Sequence, residues 1–472
     1  MPIKLGAFAR NRVVANAALL SILLLSAFIQ FTVVTRTQVI NPFRADAREY
    51  FFSAYNLDHY GVYSSEVTWP PEQHVQPPPA DAVRTPGYPL FLRLVGHPEP
   101  TVAYESRIKL TQAALGVLSV WMMYLIATRF LRRRWASVAA LLTAISPHLA
   151  VSSTYVLTES LFFFLLLAWL LALLWAIEST SRWPFALAGL LLGLCSLVRS
   201  TTLFIPILAL LACLAIPRLK RFRVAAAWML LGFGVLISPW MIRNASLPPQ
   251  AQQSRQLVDF LLHGSYPSFM YDNDPATYGD PYRADPHAAQ IGRNLSSVLA
   301  HIAQNFRDKP VATARWYLIG KPGFFLSWAD ITGAGDMFVY NVDSSPYLDD
   351  PRFDLIRRVA YALHWPLMLL GLVGACLPWW LPSRWGLSGT RLTAARLVSL
   401  LVFYAIGFHM IGAPFPRYGV PFRPLLYPLA LLAVSAPWRS GLGAAGGPAI
   451  PIAETRGPET CLTPKLPHDV TM

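Results

Sequence analysis

The sequence predicts an all-α polytopic membrane protein: about ten or more transmembrane helices, with two large outer-face loops that carry short amphipathic helices. Two observations predict it. Of 472 residues, 54% are hydrophobic and only 14% charged, whereas soluble domains carry about 25% charged residues. The apolar residues also lie in long continuous runs that recur along the chain. Backbone groups in lipid must be paired internally, which leaves helices or closed barrels. Continuous rather than alternating runs select helices.

The net charge of +14 has an ordinary explanation in such a chain. Lys and Arg collect in cytosolic loops, so no nucleic-acid partner is needed. The four cysteines, Cys195, Cys213, Cys376 and Cys461, have no metal-like spacing and form no disulfide framework.

The N-terminal apolar run, Val13 to Val34, is too long for a signal-peptide core and lacks a small-x-small cleavage site. It reads as a retained first span with a cytosolic N-terminus. A polar loop, 35–107, follows. The second span, 108–130, ends against Arg129 and Arg132-Arg-Arg134, a cytosolic marker that puts the loop outside. Spans at 136–151 and 160–177 come next. Two short apolar stretches, 184–198 and 201–217, are split by Arg199. Arg182 and the cluster Arg218, Lys220, Arg221, Arg223 both read as cytosolic, so Arg199 is expected at the outer end of a tight hairpin. A seventh span, 222–241, delivers Pro239-Trp-Met-Ile-Arg-Asn244 to the second outer loop, 242–358. Within that loop, 314–329 is apolar but broken by Lys321-Pro-Gly323. A crossing there would put Arg384, Arg391 and Arg396 outside, so it reads as an interfacial helix pair. Spans at 360–381, 395–413 and 419–436 complete a membrane domain of residues 1–436. The tail, 437–472, is rich in Gly, Pro and charge and reads as a disordered cytosolic segment.

Most of the polar content therefore lies in two outer loops, and candidate residues are sought there. Asp46-Ala-Arg-Glu49 fits a capping box, with the acid at the N-cap and Glu at N3. Tyr50, Phe51, Ala54 and Leu57 follow with helical spacing, and Gly61 is a stop signal. A surface helix, 47–60, capped by Asp46 is expected. The same carboxylate can accept a proton from a hydroxyl, although a helix start lowers its pKa and weakens it as a base. Arg84-Thr-Pro-Gly-Tyr-Pro89 makes a rigid turn. Its Arg84 is either a basic residue beside a turn or a guanidinium able to grip a phosphate through two hydrogen bonds. Glu159, with Thr158 as a possible cap, opens the fourth span. It serves the helix start or orients a substrate hydroxyl or an arginine.

Arg199, Arg243, Lys321 and Arg417 map to the outer face, where the positive-inside bias makes cations less expected. Snorkelling to lipid headgroups explains any one of them. Together with Arg84 they suggest an anionic ligand, either a lipid-linked phosphate or ordinary anionic lipid. His409, inside a span, is expected to hydrogen-bond a neighbouring helix. The histidines have no metal-like spacing, so no metal site is expected. No Gly-rich phosphate loop, Ser-His-Asp set or dinucleotide fingerprint is present, and no cofactor is implied.

Several motifs, in this order, resemble the GT-C class of integral membrane glycosyltransferases, and within it the branch of protein O-mannosyltransferases and lipid A aminoarabinose transferases. They are Asp46 with Tyr50 and Gly61-Val-Tyr63, Arg84-Thr-Pro-Gly-Tyr-Pro-Leu-Phe-Leu92, Thr158-Glu-Ser-Leu-Phe162, Ser238-Pro-Trp-Met-Ile-Arg-Asn244 and Arg417-Tyr-Gly-Val-Pro421. Many members carry Asp-Glu where this chain has Asp46-Ala47, and Pro where it has Ser160. The resemblance implies sugar transfer from a polyprenyl-phosphate-linked donor, with inversion, to an acceptor protein, lipid or glycan at the outer face of the cell membrane. Asp46 would be the general base. Arg84, with Arg199 or Arg243, would bind the donor phosphate, and Glu159, Lys321, Arg417 and Tyr418 would complete the substrate site. A transporter or flippase of a lipid-linked glycan is the alternative; it would call for two similar halves of Gly/Pro-interrupted spans. A non-catalytic assembly subunit would tolerate loss of Asp46.

Overall fold

The structure, a computed structural model, describes residues 3–74, 76–248, 256–329, 335 and 337–435. The expected tail and Cys461 lie outside the described residues. Each long apolar run is helical. Helix α1 (Ile3–Arg36) packs against α4 (Val102–Thr128), which packs in turn against α5 (Arg133–Ala144) and α7 (Glu159–Glu178). Between α1 and α4 lie the surface helices α2 (Ala45–His59) and α3 (Gly87–Val95). Helix α7 packs against α8 (Trp183–Val198), and α8 against α10 (Arg223–Ala245), with α9 (Ile205–Ala215) beside α10.

In the second loop, α11 (Leu295–Asp308) is followed by α12 (Pro310–Arg315) and α13 (Lys321–Leu326). The bundle closes with α14 (Pro351–Trp380), α15 (Gly389–Ile411) and α16 (Leu426–Ser435). Among the described residues, six helical segments are long and apolar enough to cross a membrane: Asn16–Arg36, Val102–Thr128, Glu159–Glu178, Pro217–Ala245, Pro351–Trp380 and Gly389–Ile411. Three shorter apolar segments, Trp183–Val198, Ser200–Ala215 and Arg423–Ser435, stand where three further crossings were expected.

The structure departs from the sequence reading in three places. The expected span 136–151 is split between α5 and the short helix α6 (Pro147–Ser152). Pro147 lacks an N–H and disfavours a helical conformation at Ser146, which takes ψ 115°. The expected helix pair at 314–329 is instead joined, because a π turn, Trp316–Gly320, links α12 to α13. Pro322 can donate no bond to the preceding turn, and the wider π turn carries the helix past it. His409 bonds within its own helix, to the Ala405 carbonyl at 2.8 Å.

Two crossings are set by glycine. At Gly189 and Gly232, α8 and α10 approach so closely that a Cβ would strike the backbone of the facing helix. Gly374 of α14 does the same against Leu429 of α16. Gly374→Ala forces these helices apart, and we expect it to cost about 1–3 kcal/mol. A thermal melt of the purified protein in detergent measures that loss.

A two-stranded antiparallel ladder ties the two large loops together. β1 (Gln38–Val39) pairs with β2 (Val342–Ser344), Gln38 opposite Ser344. Thr37 and Ser345 hydroxyls meet at 3.2 Å beside it. The ladder brings Tyr340 near the start of α2, where the Arg44 guanidinium lies 5.4 Å from the centre of its ring.

Candidate active site

Helix α2 begins two residues earlier than the capping box predicts, and Asp46 is not its cap. The N-cap position falls on Arg44, which makes no side-chain cap bond. Ala45 takes φ +47°, a conformation rare for a residue with a Cβ. The Asp46 carboxylate sits inside the first turn and reaches two guanidiniums. Its Oδ1 accepts from Arg84 at 2.6 Å and its Oδ2 from Arg417 at 2.5 Å. Both bonds pair the carboxylate with a full positive charge, whereas a cap bond would pair it with an uncharged backbone N–H. The expected stop holds: α2 ends at His59, and Gly61 takes φ +68°.

Glu49, three residues on, shares a helix face with Asp46. Its Oε2 accepts from Arg84 Nε at 2.5 Å. The Arg84 guanidinium lies over the Tyr50 ring, 5.1 Å from its centre. Glycine helps bring Arg84 here. A Cβ on Gly87 would lie 2.6 Å from the Leu197 backbone, so the turn at Pro86-Gly87 rests directly on the end of α8, beside Arg199.

Glu159 opens α7, with Thr158 at the N-cap position but making no side-chain cap bond. The Glu159 side chain is 3% exposed. Its Oε1 is shared by Arg199, at 3.3 Å, and Arg417 Nε, at 3.2 Å. Arg199 also lies over the Tyr418 ring, 4.9 Å from its centre. Arg417, 9% exposed, therefore bridges the two acids. Asp46, Glu49, Arg84, Glu159, Arg199, Arg417 and Tyr418 form one network at one end of the bundle. The Arg129–Glu178 pair marks the other end of α7, some 30 Å away along a 20-residue helix.

Burial would raise the Asp46 pKa, but Arg417 and Arg84 outweigh it and hold the carboxyl well below the usual range. The direction matches the sequence expectation, whereas the cause is the two guanidiniums and not the helix start.

Two expected members stand apart from this network. Arg243, at the end of α10, donates to the backbone carbonyls of Asp81 and Tyr63, the latter at 3.0 Å, and lies over the Trp240 and Tyr63 rings. It fastens the first loop to the bundle. Lys321 is buried, with Nζ 3.3 Å from the Ile411 carbonyl and 3.4 Å from the centre of the Tyr317 ring. Burial pushes its ammonium down to about 7. Tyr317 and Ile411 also line an apolar groove of about 450 Å³ with Leu299, Phe306 and Met410.

In the sequence, Glu49 reads as a capping partner, and Tyr50 as part of the apolar helix spacing and of the motif. The spacing of Glu49 from Asp46 was the available signal for a shared arginine.

Comparison with known proteins bears on the segment between these residues. Residues 90–242 match the family described as dolichyl-phosphate-mannose-protein mannosyltransferase. This bears out the resemblance, since the matched segment holds Thr158-Glu-Ser-Leu-Phe162 and most of the Ser238–Asn244 motif. Asp46, Arg84 and Arg417 lie outside it. No curated protein matches the chain. Among solved structures, the Archaeoglobus fulgidus oligosaccharyltransferase tethered with an acceptor peptide is similar at 15% identity and TM-score 0.47, covering 89% of this chain and 50% of that one. The archaeal oligosaccharyltransferase AglB from Archaeoglobus fulgidus in complex with an inhibitory peptide and a dolichol-phosphate gives 15%, 0.46, 92% and 52%. ArnT from Cupriavidus metallidurans bound to undecaprenyl phosphate gives 14%, 0.36, 92% and 78%. The chain thus spans about half the length of the oligosaccharyltransferases it resembles.

Proposed function

We propose that the protein transfers a sugar from a polyprenyl-phosphate-linked donor to an acceptor at the outer face of the membrane. The observation that carries this reading is the convergence of Arg84 and Arg417 on the Asp46 carboxylate, with Arg199 joined to Arg417 through Glu159, at one end of an apolar bundle. The matched family's description, naming a lipid-linked sugar as donor, supports it. The opposite end of the bundle carries Arg132, Arg133 and Arg134, exposed and directly following α4. The positive-inside rule assigns that end to the cytosol, so the network faces outward.

In this reading the acceptor hydroxyl attacks the sugar's anomeric carbon and gives its proton to Asp46. The carbon–oxygen bond to phosphate breaks, and its electron pair leaves with the polyprenyl phosphate. The growing negative charge is stabilised by Arg84, Arg417 and Arg199. A single displacement inverts the anomeric centre. Glu159 holds Arg199 and Arg417 in place, and Tyr418 supports Arg199 from its ring face. Arg243 serves by anchoring the first loop. Lys321 and its apolar groove suit the lipid part of the donor.

The test is release of polyprenyl phosphate from a panel of polyprenyl-phosphate sugars by the purified protein in liposomes, with envelope extract supplying acceptors. We expect release with at least one donor. Arg84→Ala should raise the donor KM about tenfold or more, the loss of a charge-assisted contact, while Arg134→Ala at the far end leaves it unchanged. Equal effects of the two substitutions would point to general lipid attraction. Failure to release phosphate from any donor would sink the transfer reading.

A further inference from the structure

Each guanidinium of the network is paired with a carboxylate. Three arginines face three carboxylates: Asp46 spans Arg84 and Arg417, Glu49 holds Arg84 Nε, and Glu159 holds Arg417 Nε and Arg199. The network is electrically neutral. Its acids are not equally fixed. Glu159 is 3% exposed in the first turn of a long buried helix. Asp46 and Glu49 are 28% and 31% exposed, in the first turns of a helix whose first residue has φ +47°. A carboxylate placing one oxygen on each of two guanidiniums does what two oxygens of a phosphate would do.

We propose that Asp46, helped by Glu49, occupies the seat of the donor phosphate until the donor displaces it, so that the base becomes available only once donor is bound. This deepens the transfer reading above and rests on it. The displacement is an exchange of ion pairs. The donor's phosphodiester brings one negative charge to Arg84 and Arg417, and the Asp46 carboxylate, carrying the same charge, is released into the site. Arg417 stays in place because Glu159 keeps its Nε. Freed from two cations, Asp46 regains the basicity of an ordinary carboxylate, as proton abstraction requires. The reaction is therefore ordered, donor first. Without donor, the acceptor meets a carboxylate too weak to deprotonate it.

Removing the competitor tests this directly. Farnesyl phosphate is the probe, titrated into the full-length protein in detergent. Asp46→Asn keeps the side-chain shape but loses its charge, and should bind the probe about tenfold more tightly than the wild type, the scale of one charged hydrogen bond. Glu49→Gln, relieving Arg84 alone, should tighten binding about threefold. Farnesol, which lacks the phosphate, should not distinguish the variants. Unchanged or weaker farnesyl phosphate binding by Asp46→Asn overturns the proposal, as does equal tightening for farnesol. If Asp46→Asn does not fold, Glu49→Gln decides by the same criterion. Transfer by the same variants separates the two readings. Asp46→Asn that transfers normally removes the base assignment itself. An inactive Asp46→Asn with unaltered affinity removes only the displacement.

Discussion

Asp46→Asn is expected to reduce sugar transfer by about 10²- to 10⁴-fold, the range a positioned general base supplies, while the protein still folds. Asparagine matches aspartate in shape and can still accept from Arg84 and Arg417 through its amide oxygen, but it cannot take up the acceptor's proton. The readout is polyprenyl phosphate release at saturating donor, so that kcat falls and the donor KM does not rise. A near-normal kcat would end the base assignment. The pH dependence follows from the same contacts. Arg417 and Arg84 hold the folded carboxyl below its ordinary value, so the ion pair stabilises the fold at neutral pH. That contribution is lost only as pH falls through the lowered value, below about pH 4. A melting-temperature series against pH should show the wild type losing more stability in acid than Asp46→Asn.

Arg417→Ala is expected to damage stability and transfer together. Arg417 is 9% exposed and serves both Asp46 and Glu159. Its removal leaves Glu159 buried beside Arg199, and Asp46 beside Arg84. Breaking a buried pair from one side costs about 3–5 kcal/mol, and the surviving arginines put the expected loss near the lower end. Arg417→Lys should recover part of the stability but little of the transfer, because a single ammonium cannot span two acids as Nε and a terminal nitrogen do. Thermal melting and the donor KM give the two readouts. Unchanged melting in Arg417→Ala would mean that Glu159 needs no such partner.

Much of this fold is legible because membrane helices announce themselves as continuous apolar runs. The end of the bundle where Arg84, Arg199 and Arg417 gather is legible too, from the arginines that stand near the ends of the apolar runs. What the chain does not disclose is pairing. Arg84 lies 38 residues from Asp46 and Arg417 lies 371 residues from it, and no periodicity connects them. The capping box was a sound local reading that stronger long-range charges overrode. Arg243 and Lys321 sit where outer cations were expected, yet carbonyls and aromatic rings occupy them. The break at Ser146-Pro147 and the π turn before Pro322 reflect missing proline N–H groups, which hydropathy does not register.

The span between Asp46 and Arg417 also has a meaning in time. At about 5–20 residues per second, the ribosome delivers Arg417 roughly 20–70 s after Asp46. Arg84 arrives within seconds, so a half-made site exists through most of synthesis, and Glu159 waits for Arg417 as well. A chain that stops before residue 417 would carry Asp46, Arg84 and most of the apolar helices, yet lack the cation that joins Asp46 to Glu159. Membrane quality control would then meet a protein with most of its apolar helices in place, missing α16 and the buried arginine that pairs with both acids.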